Sequence, residues 1–192
     1  TICGINRPRK GEILWNGEPI HELPPHEIVR LGISQVPEGR LIFPDLSVRE
    51  NLEMGGYTRP AGELAASLDQ VFEQFPRLKE RQRQIAGTLS GGNVQRMTFA
   101  RAVISNPSVL VACYPSRGLD VATVAVVHET LLRLRNDGAA VLLISEDLPE
   151  LFELSDELLV LSGHRAYGPF DANTADLNEI GKLMLKGEES HV

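Results

Sequence analysis

Hydrophobic residues recur along much of the chain at the intervals of one helix face. Leu64, Leu68, Val71 and Phe75 follow this spacing, which predicts a helix over residues 61–75. The same spacing, carried by Val94, Met97, Ala100 and Ile104, predicts a helix over residues 92–105. Further helices are predicted to begin near Ser47, to run from Pro25 to near Gly32, and to cover residues 121–135 and 149–154.

Short, solidly apolar runs lie between the later helices, at residues 109–112, 140–144 and 158–161. Such runs are typical of strands that are buried on both faces of a parallel sheet. Residues 33–36 form a shorter apolar segment that Pro37 ends, and the Asn16-Gly17 pair predicts a tight turn after a short strand at residues 13–15. Strands that alternate with helices predict an α/β fold with helices on both faces of the sheet.

Composition and charge exclude several classes of function. The chain has 192 residues, which suits one domain, and a net charge of −7, which argues against nucleic-acid binding. Cys3 and Cys113 are the two cysteines, and a reducing cytosol fits their scarcity. No apolar run approaches the roughly 20 residues that cross a bilayer. His21 and His26 predict no metal site, because Pro24 and Pro25 prevent one continuous helix there.

The segment Ser90-Gly91-Gly92 immediately precedes the helix predicted over residues 92–105. Ser90 suits the N-cap position, and the glycines allow a ligand to approach backbone N–H groups that have no intrahelical acceptor. Together with the helix dipole, these donors form an anion site. The same three residues are also compatible with an ordinary glycine-rich helix start, so the segment alone leaves both interpretations open.

The surrounding residues favour the anion site. Leu89-Ser90-Gly91-Gly92-Asn93, followed by Gln95-Arg96, resembles the signature motif of ABC transporter ATPases. Pro115-Ser116-Arg117-Gly118-Leu119-Asp120 resembles that family's turn after the Walker B strand, and it follows the signature at the interval that the family requires. Three more segments resemble the Q-loop region, the start of the helical subdomain and the switch loop, in that order: residues 36–40, 46–52 and 141–147.

The resemblance covers nearly the whole chain and implies a P-loop NTPase-like parallel sheet. It implies one ATP-binding domain over residues 1–192, with a helical subdomain inserted at residues 44–86. The P-loop motif itself, G-x-x-x-x-G-K-[ST], does not occur in the chain. Because Thr1-Ile2-Cys3-Gly4 resembles the stretch after the family's P-loop helix, we expect the P-loop and its strand to precede Thr1. Without that strand, we expect the sheet to have an unpaired edge.

Four positions depart from the family's pattern of catalytic residues. Cys113 and Tyr114 stand where the Walker B strand ends in Asp-Glu, and both side chains are largely neutral at pH 7. Glu146 stands where the switch loop usually carries a His, and Glu38 stands where the Q-loop carries a Gln. These departures predict a degenerate site that hydrolyses little ATP itself, and they leave no catalytic residue or metal ligand to be assigned.

ABC domains pair head-to-tail, so the resemblance implies that this chain completes a partner's site. Leu89, Ser90, Gly91, Gly92 and Asn93 would bind ATP whose phosphates and Mg²⁺ are held mainly by the second ATP-binding domain. Asp120 would lie in the D-loop at the dimer seam. Glu38 and the helical subdomain would pass dimer closure to transmembrane permease subunits, which would work with a substrate-binding protein. The chain would then lie peripherally on the cytoplasmic face of the membrane.

Two features of this interpretation stay open. Residues 32–90 resemble branched-chain amino-acid importers, whereas the later motifs resemble the second ATP-binding domain of sugar and nucleoside importers, so the transported solute is not decided. Two other functions are compatible with the sequence: a soluble ABC ATPase without membrane partners, and a non-catalytic ABC-like interaction domain.

Overall fold

The computed structural model describes residues 1–39 and 41–186, in two compact units, Thr1–Ile144 and Ser145–Val192. Arg40, which belongs to the Q-loop resemblance, lies outside the described residues. The single domain over residues 1–192 and the helical subdomain at residues 44–86 stay predictions. The helices that the structure has between residues 48 and 80 make that segment mostly helical.

The first unit contains most of the predicted elements. Its strands are β1 (Leu14–Trp15), β2 (Glu18–Pro19), β3 (Ile33–Val36), β4 (Val109–Cys113) and β5 (Ala140–Ile144). Its helices are α1 (Pro25–Arg30), α2 (Val48–Gly55), α3 (Ala61–Gln74), α4 (Pro76–Glu80), α5 (Gly91–Val103) and α6 (Val121–Asn136), with a 3₁₀ turn at Ala86–Thr88.

A three-stranded parallel sheet, in the order β3–β4–β5, forms the centre of this unit. Val36 on β3 and Leu110 on β4 are fully buried, as is Phe99 on α5. Helices α1 and α5 contact β3, and α6 contacts β5. The predicted α/β class is therefore confirmed, and the core lies between the sheet and these helices.

Strand β5 differs from its predicted burial. Leu142 is 44% exposed and Ile144 is 40% exposed, although both belong to the solidly apolar run. Among residues 1–39 and 41–186, only β4 pairs with β5, so β5 is an edge strand. Because alternate side chains of a strand share one face, the exposed residues show that one face of β5 is largely uncovered. The expectation of a strand buried on both faces is wrong here.

Local signals place the ends of several elements. Asn16 and Gly17 have φ of 51° and 83°, which gives the predicted hairpin between β1 and β2 the turn geometry that matches strand twist. Helix α2 begins after Ser47, as predicted. Ser47 Oγ accepts from Glu50 N at 3.2 Å, and Glu50 Oε2 accepts from Ser47 N at 2.7 Å, so the two residues form a capping box.

The second unit consists of α7 (Leu148–Leu154), β6 (Glu157–Ser162), β7 (Arg165–Asp171) and α8 (Leu177–Leu185). The apolar run at residues 158–161 forms a strand as predicted, but it pairs antiparallel with β7 rather than joining the parallel sheet. Leu158 and Val160 are buried, whereas Leu159 and Leu161, which alternate with them, are exposed. This alternation is that of a strand with one covered face. No helix in the described part of the chain is long and apolar enough to cross a membrane.

Candidate functional site

The N-terminus of α5 presents backbone donors that its own N-cap residue does not occupy. Ser90 has the extended backbone of an N-cap, with φ of −66° and ψ of 156°, but its hydroxyl makes no hydrogen bond to the first turn's N–H groups. Ser90 Oγ instead accepts from Asn93 Nδ2 at 3.0 Å. The N–H groups of Gly91 and Gly92 have no intrahelical acceptor, because the first N–H groups of a helix never do.

The space beside Gly92 is open. A Cβ atom placed at Gly92 would meet one atom within 4 Å, Arg96 Nη1 at 3.9 Å. A ligand can therefore approach this turn of α5 closely. Open access, uncapped N–H groups and the positive end of the helix dipole together suit a negatively charged group such as a phosphate.

Arg96 connects this turn to the start of α6. Its Nη1 donates to Asn93 Oδ1 at 2.8 Å, and its Nε donates to Thr123 Oγ1 at 2.9 Å. Its Nη2 also pairs with the carboxylate of Asp120. Sequence analysis gave Arg96 no role of its own. The sequence did contain a feature that indicates this contact: Arg96 follows Asn93 by three residues, which places both side chains on the same side of a helix.

Asp120 is the N-cap of α6 as well as a predicted site residue. Its Oδ1 accepts from Thr123 Oγ1 at 2.9 Å and from Thr123 N at 3.0 Å. The Thr123 hydroxyl, the Thr123 N–H and, to a smaller extent, the Arg96 guanidinium lower the pKa of Asp120. Asp120 is therefore anionic at neutral pH, and its position is fixed by a helix cap at an exposed surface.

A cleft of about 390 Å³ opens beside the carboxyl ends of β3 and β4. Three residues of its lining are positions where the sequence departs from the family's catalytic residues: Glu38, Cys113 and Tyr114. The rest of the lining consists of Gly39, the buried Gln95, and Arg117 and Gly118 in the turn after β4. Gln95 Nε2 donates to the carbonyls of Tyr114 and Pro115, at 3.5 and 3.4 Å. Helix α5 therefore lines the cleft through Gln95 and also carries the open turn at its own N-terminus, residues 90–92.

The charged groups of the cleft are engaged with one another. Arg117 Nη1 lies 3.6 Å from Glu38 Oε1, and the Arg117 guanidinium lies 5.6 Å from the centre of the Tyr114 ring. Burial raises the pKa of the Cys113 thiol, and the negative charge of Glu38 adds to the effect, so the thiol stays protonated at neutral pH.

These residues do not fit the Mg²⁺ ion that the family resemblance implies. Magnesium requires oxygen ligands in near-octahedral geometry. The cleft offers a protonated thiol at Cys113, a phenol at Tyr114 and one carboxylate, Glu38, which already faces Arg117. Within residues 1–39 and 41–186, no group of three or more His, Cys, Asp or Glu side chains could hold a metal ion.

Glu146 belongs to the second unit, in the loop that precedes α7, and its side chain is exposed. In that loop, Ser145 Oγ donates to Glu150 Oε2 at 2.6 Å, and Asp147 Oδ1 accepts from Glu150 N at 3.1 Å. The structure thus places Ser90, Asn93 and Asp120 in one group and Glu38, Cys113 and Tyr114 in another, and side chains of α5 contact both groups. The role of Glu146 stays a prediction.

Comparisons with known proteins support the resemblance to ABC transporter ATPases that the sequence motifs indicated. A family model described as ABC transporter matches residues 1–115. A high-affinity branched-chain amino acid transport ATP-binding protein of Pseudomonas aeruginosa is 39% identical over 165 residues, which cover 86% of this chain and 71% of that protein. A ribose import ATP-binding protein of Rubrobacter xylanophilus is 32% identical over 203 residues, which cover 100% of this chain and 41% of that protein.

The fold has a close counterpart among solved structures. One described as the ATP binding subunit of an ABC transporter matches with a TM-score of 0.85. The match covers 95% of this chain and 80% of that chain, at 22% sequence identity. At this level of identity the likeness concerns the fold alone.

Proposed function

Because this chain belongs to the ABC transporter family of ATP-binding proteins, we propose that it is the ATP-binding component of an importer of small solutes. The observation that carries the proposal is the open first turn of α5. Ser90 leaves the N–H groups of that turn uncapped, and Gly92 leaves the approach to them free. This turn is the family's signature motif, and it suits the terminal phosphate of ATP.

The proposed chemistry at this turn is electrostatic. The N–H groups of Gly91 and Gly92 and the Ser90 hydroxyl would donate to the γ-phosphate, and the dipole of α5 adds a partial positive charge. Because the folded helix fixes these donors in advance, they need little reorganisation as negative charge develops during hydrolysis. Leu89 and Asn93 flank the turn and would orient it.

We assign ATP and Mg²⁺ mainly to a second ATP-binding domain, paired head-to-tail with this one. The support is the cleft beside β3 and β4, where Cys113 and Tyr114 supply no carboxylate and Glu38 faces Arg117. The chain would complete the partner's site through Ser90 and Asp120 while contributing little hydrolysis at its own.

Glu38 and the helices within residues 44–86 would face transmembrane permease subunits, which a substrate-binding protein would supply with solute. The chain would therefore lie at the cytoplasmic face of the membrane. The net charge of −7 supports protein rather than nucleic-acid partners. We propose a branched-chain amino acid as the solute. The support is the amino-acid transport relative of Pseudomonas aeruginosa, which is 39% identical to this chain, against 32% for the ribose relative.

The test uses the chain purified with the membrane proteins that accompany it from its native membrane. Ser90→Arg should abolish ATP turnover and solute uptake, because a large side chain then fills the open turn. Asn178→Arg, which adds the same group at an exposed position on α8, should leave both unchanged. Uptake of leucine rather than ribose would support the assigned solute.

Three results would each contradict part of the proposal. Uptake and turnover that survive Ser90→Arg would remove the role of the signature turn. Recovery of the chain without any membrane subunit would favour a soluble ABC ATPase. Turnover by this chain alone with Mg²⁺, above the background of a buffer control, would overturn the degenerate site.

A further inference from the structure

One guanidinium group, that of Arg96, joins the open turn of α5 to the start of α6. The side chain is 16% exposed. It hydrogen-bonds to Asn93 on its own helix and to Thr123 on the next, and it pairs with the Asp120 carboxylate. Every nitrogen of the guanidinium therefore has a partner in the described part of the chain, and these partners belong to both elements that the proposed function places at the dimer seam.

The hydrogen bonds fix the orientation of the Asn93 amide. Arg96 carries only donors, so the atom of Asn93 that faces it must be the carbonyl oxygen Oδ1. The amide nitrogen Nδ2 is then directed to Ser90 Oγ, to which it donates at 3.0 Å. With Arg96 absent, either end of the amide could face Ser90.

The orientation of Asn93 in turn decides what the Ser90 hydroxyl can do. A hydroxyl has one hydrogen to donate and two lone pairs that accept. Since Asn93 Nδ2 occupies a lone pair, the hydrogen of Ser90 remains available to donate to a ligand at the exposed side of the turn. A reversed amide would present an acceptor to Ser90 and draw that hydrogen away from the ligand.

We propose that Arg96 is the positioning residue of the phosphate-facing turn. It sets the direction of the Ser90 hydroxyl through Asn93, and it holds Asp120 to the same turn of α5. The proposal rests on the proposed function of Ser90 as a γ-phosphate donor. It adds a residue that acts without contacting the phosphate, because the guanidinium is already engaged with Asn93, Thr123 and Asp120.

Lysine cannot replace arginine in this arrangement. The planar guanidinium directs Nε, Nη1 and Nη2 towards three different partners, whereas a lysine ammonium is a single point of charge. Arg96→Lys should keep an attraction to Asp120 and lose the contact with Asn93. The variant therefore separates the positioning of the turn from the charge balance at the seam.

The first experiment measures ATP turnover by the complex purified from the membrane. Arg96→Lys should lower kcat by about tenfold or more, as expected when a preorganised donor is misdirected, with KM changed less than about threefold because the partner domain holds the nucleotide. Arg133→Lys, at an exposed position near the end of α6, should change neither constant.

A double-variant comparison tests the route through Asn93. Asn93→Ala should lower kcat as Arg96→Lys does, and the combination should lower it no further, because both changes act on the same hydroxyl. Additive losses, or an unchanged kcat in Arg96→Lys, would overturn the positioning role. The thermal unfolding midpoint of each variant shows whether a loss of kcat arises from misfolding. A variant that misfolds is replaced by Thr123→Val, which removes one acceptor of Arg96.

A second experiment uses the chain by itself and does not depend on a partner. The Asn93 side-chain amide protons should exchange with solvent about tenfold faster in Arg96→Lys than in the unsubstituted chain or in Arg133→Lys, as measured by NMR. Unchanged exchange would overturn the proposal even if Ser90→Arg abolishes transport. Faster exchange together with a silent Ser90→Arg would instead mean that the positioning is real and that the proposed function fails.

Discussion

The side-chain amide of Asn51 pairs in both directions with the backbone of Phe43. Phe43 N donates to Asn51 Oδ1 at 2.9 Å, and Asn51 Nδ2 donates to Phe43 O at 2.9 Å. Asn51 is fully buried on α2 and also donates to Ser47 O at 3.0 Å. One side chain therefore holds the segment that leads from the Q-loop region into the helical segment.

Replacing this amide should destabilise the fold. Asn51→Leu has a similar volume but removes the two hydrogen bonds to the backbone of Phe43, and we expect the free energy of unfolding to fall by about 1–3 kcal/mol. Urea denaturation measures the change. Asn136→Leu, at the exposed end of α6, is the control and should shift the free energy by less than about 0.5 kcal/mol. Equal effects of the two substitutions would contradict the structural role of Asn51.

The close packing of α2 on α5 depends on Gly55. A Cβ atom at this position would lie 2.5 Å from Arg101 Cγ and closer still to the Arg101 carbonyl oxygen. Because the backbone of α5 would have to move, Gly55→Ala should lower the free energy of unfolding by about 1–3 kcal/mol.

Gly62 provides the matched control for Gly55. It lies on α3, and a Cβ atom there would meet nothing within 4 Å. Gly62→Ala should therefore leave stability unchanged or raise it by up to about 1 kcal/mol, the difference in helix propensity. If both alanine variants behave alike in thermal and urea unfolding, the contact between α2 and α5 is not the cause of the stability change in Gly55→Ala.

The capping box of α2 should make stability depend on acid. The Ser47 hydroxyl and, secondly, the Ser47 N–H lower the pKa of Glu50, because both donate to its carboxylate. A carboxyl whose pKa is lower in the folded state stabilises the fold above its ordinary pKa, and this contribution is lost as the pH falls through the folded value. Glu50→Gln should remove that part of the acid dependence.

The measurement is the thermal unfolding midpoint across the acidic range. The difference between the unsubstituted chain and Glu50→Gln should be largest near neutral pH and should shrink as the solution is acidified. Asp69→Asn removes one negative charge at an exposed position on α3, outside the capping box, and should not reproduce this trend. A difference that grows on acidification would contradict the assignment.

The cleft beside β3 and β4 should gain a divalent cation site when two carboxylates are introduced. Cys113→Asp combined with Tyr114→Glu supplies two oxygen ligands in place of a thiol and a phenol. Paramagnetic broadening by Mn²⁺ should then appear at Gln95 and Gly118, which line the cleft, and should be absent there without the substitutions. Equal broadening in both forms would mean that the native residues already hold the metal.

The uncovered apolar face of β5 should promote self-association. Leu142→Lys places a charge at the exposed edge strand, a substitution that disfavours pairing with another chain. Light scattering at increasing concentration should show less association than for the unsubstituted chain. Val121→Lys is the control, because Val121 is 89% exposed but lies on a helix. Equal suppression by both would indicate a general effect of charge.

The features that the sequence predicted well depend on residues close together in the chain. The predicted start of α2 lies at Ser47, the predicted hairpin turn depends on Asn16 and Gly17, and the predicted start of α5 depends on three consecutive residues beginning at Ser90. Hydrogen bonds and steric limits act within a few residues, so composition and order are sufficient to predict these features.

The sequence also determined the class of the protein, since ordered motifs at fixed spacings resembled the family that the comparisons confirmed. Tertiary structure decided the contacts between distant segments: Arg96 with Asp120 on the next helix, the pairing of β6 with β7, and the exposure of Leu142. An apolar run favours a strand but does not specify which strand pairs with it or which face is covered. Those outcomes depend on which distant surfaces meet when the chain packs, and only the folded arrangement determines that.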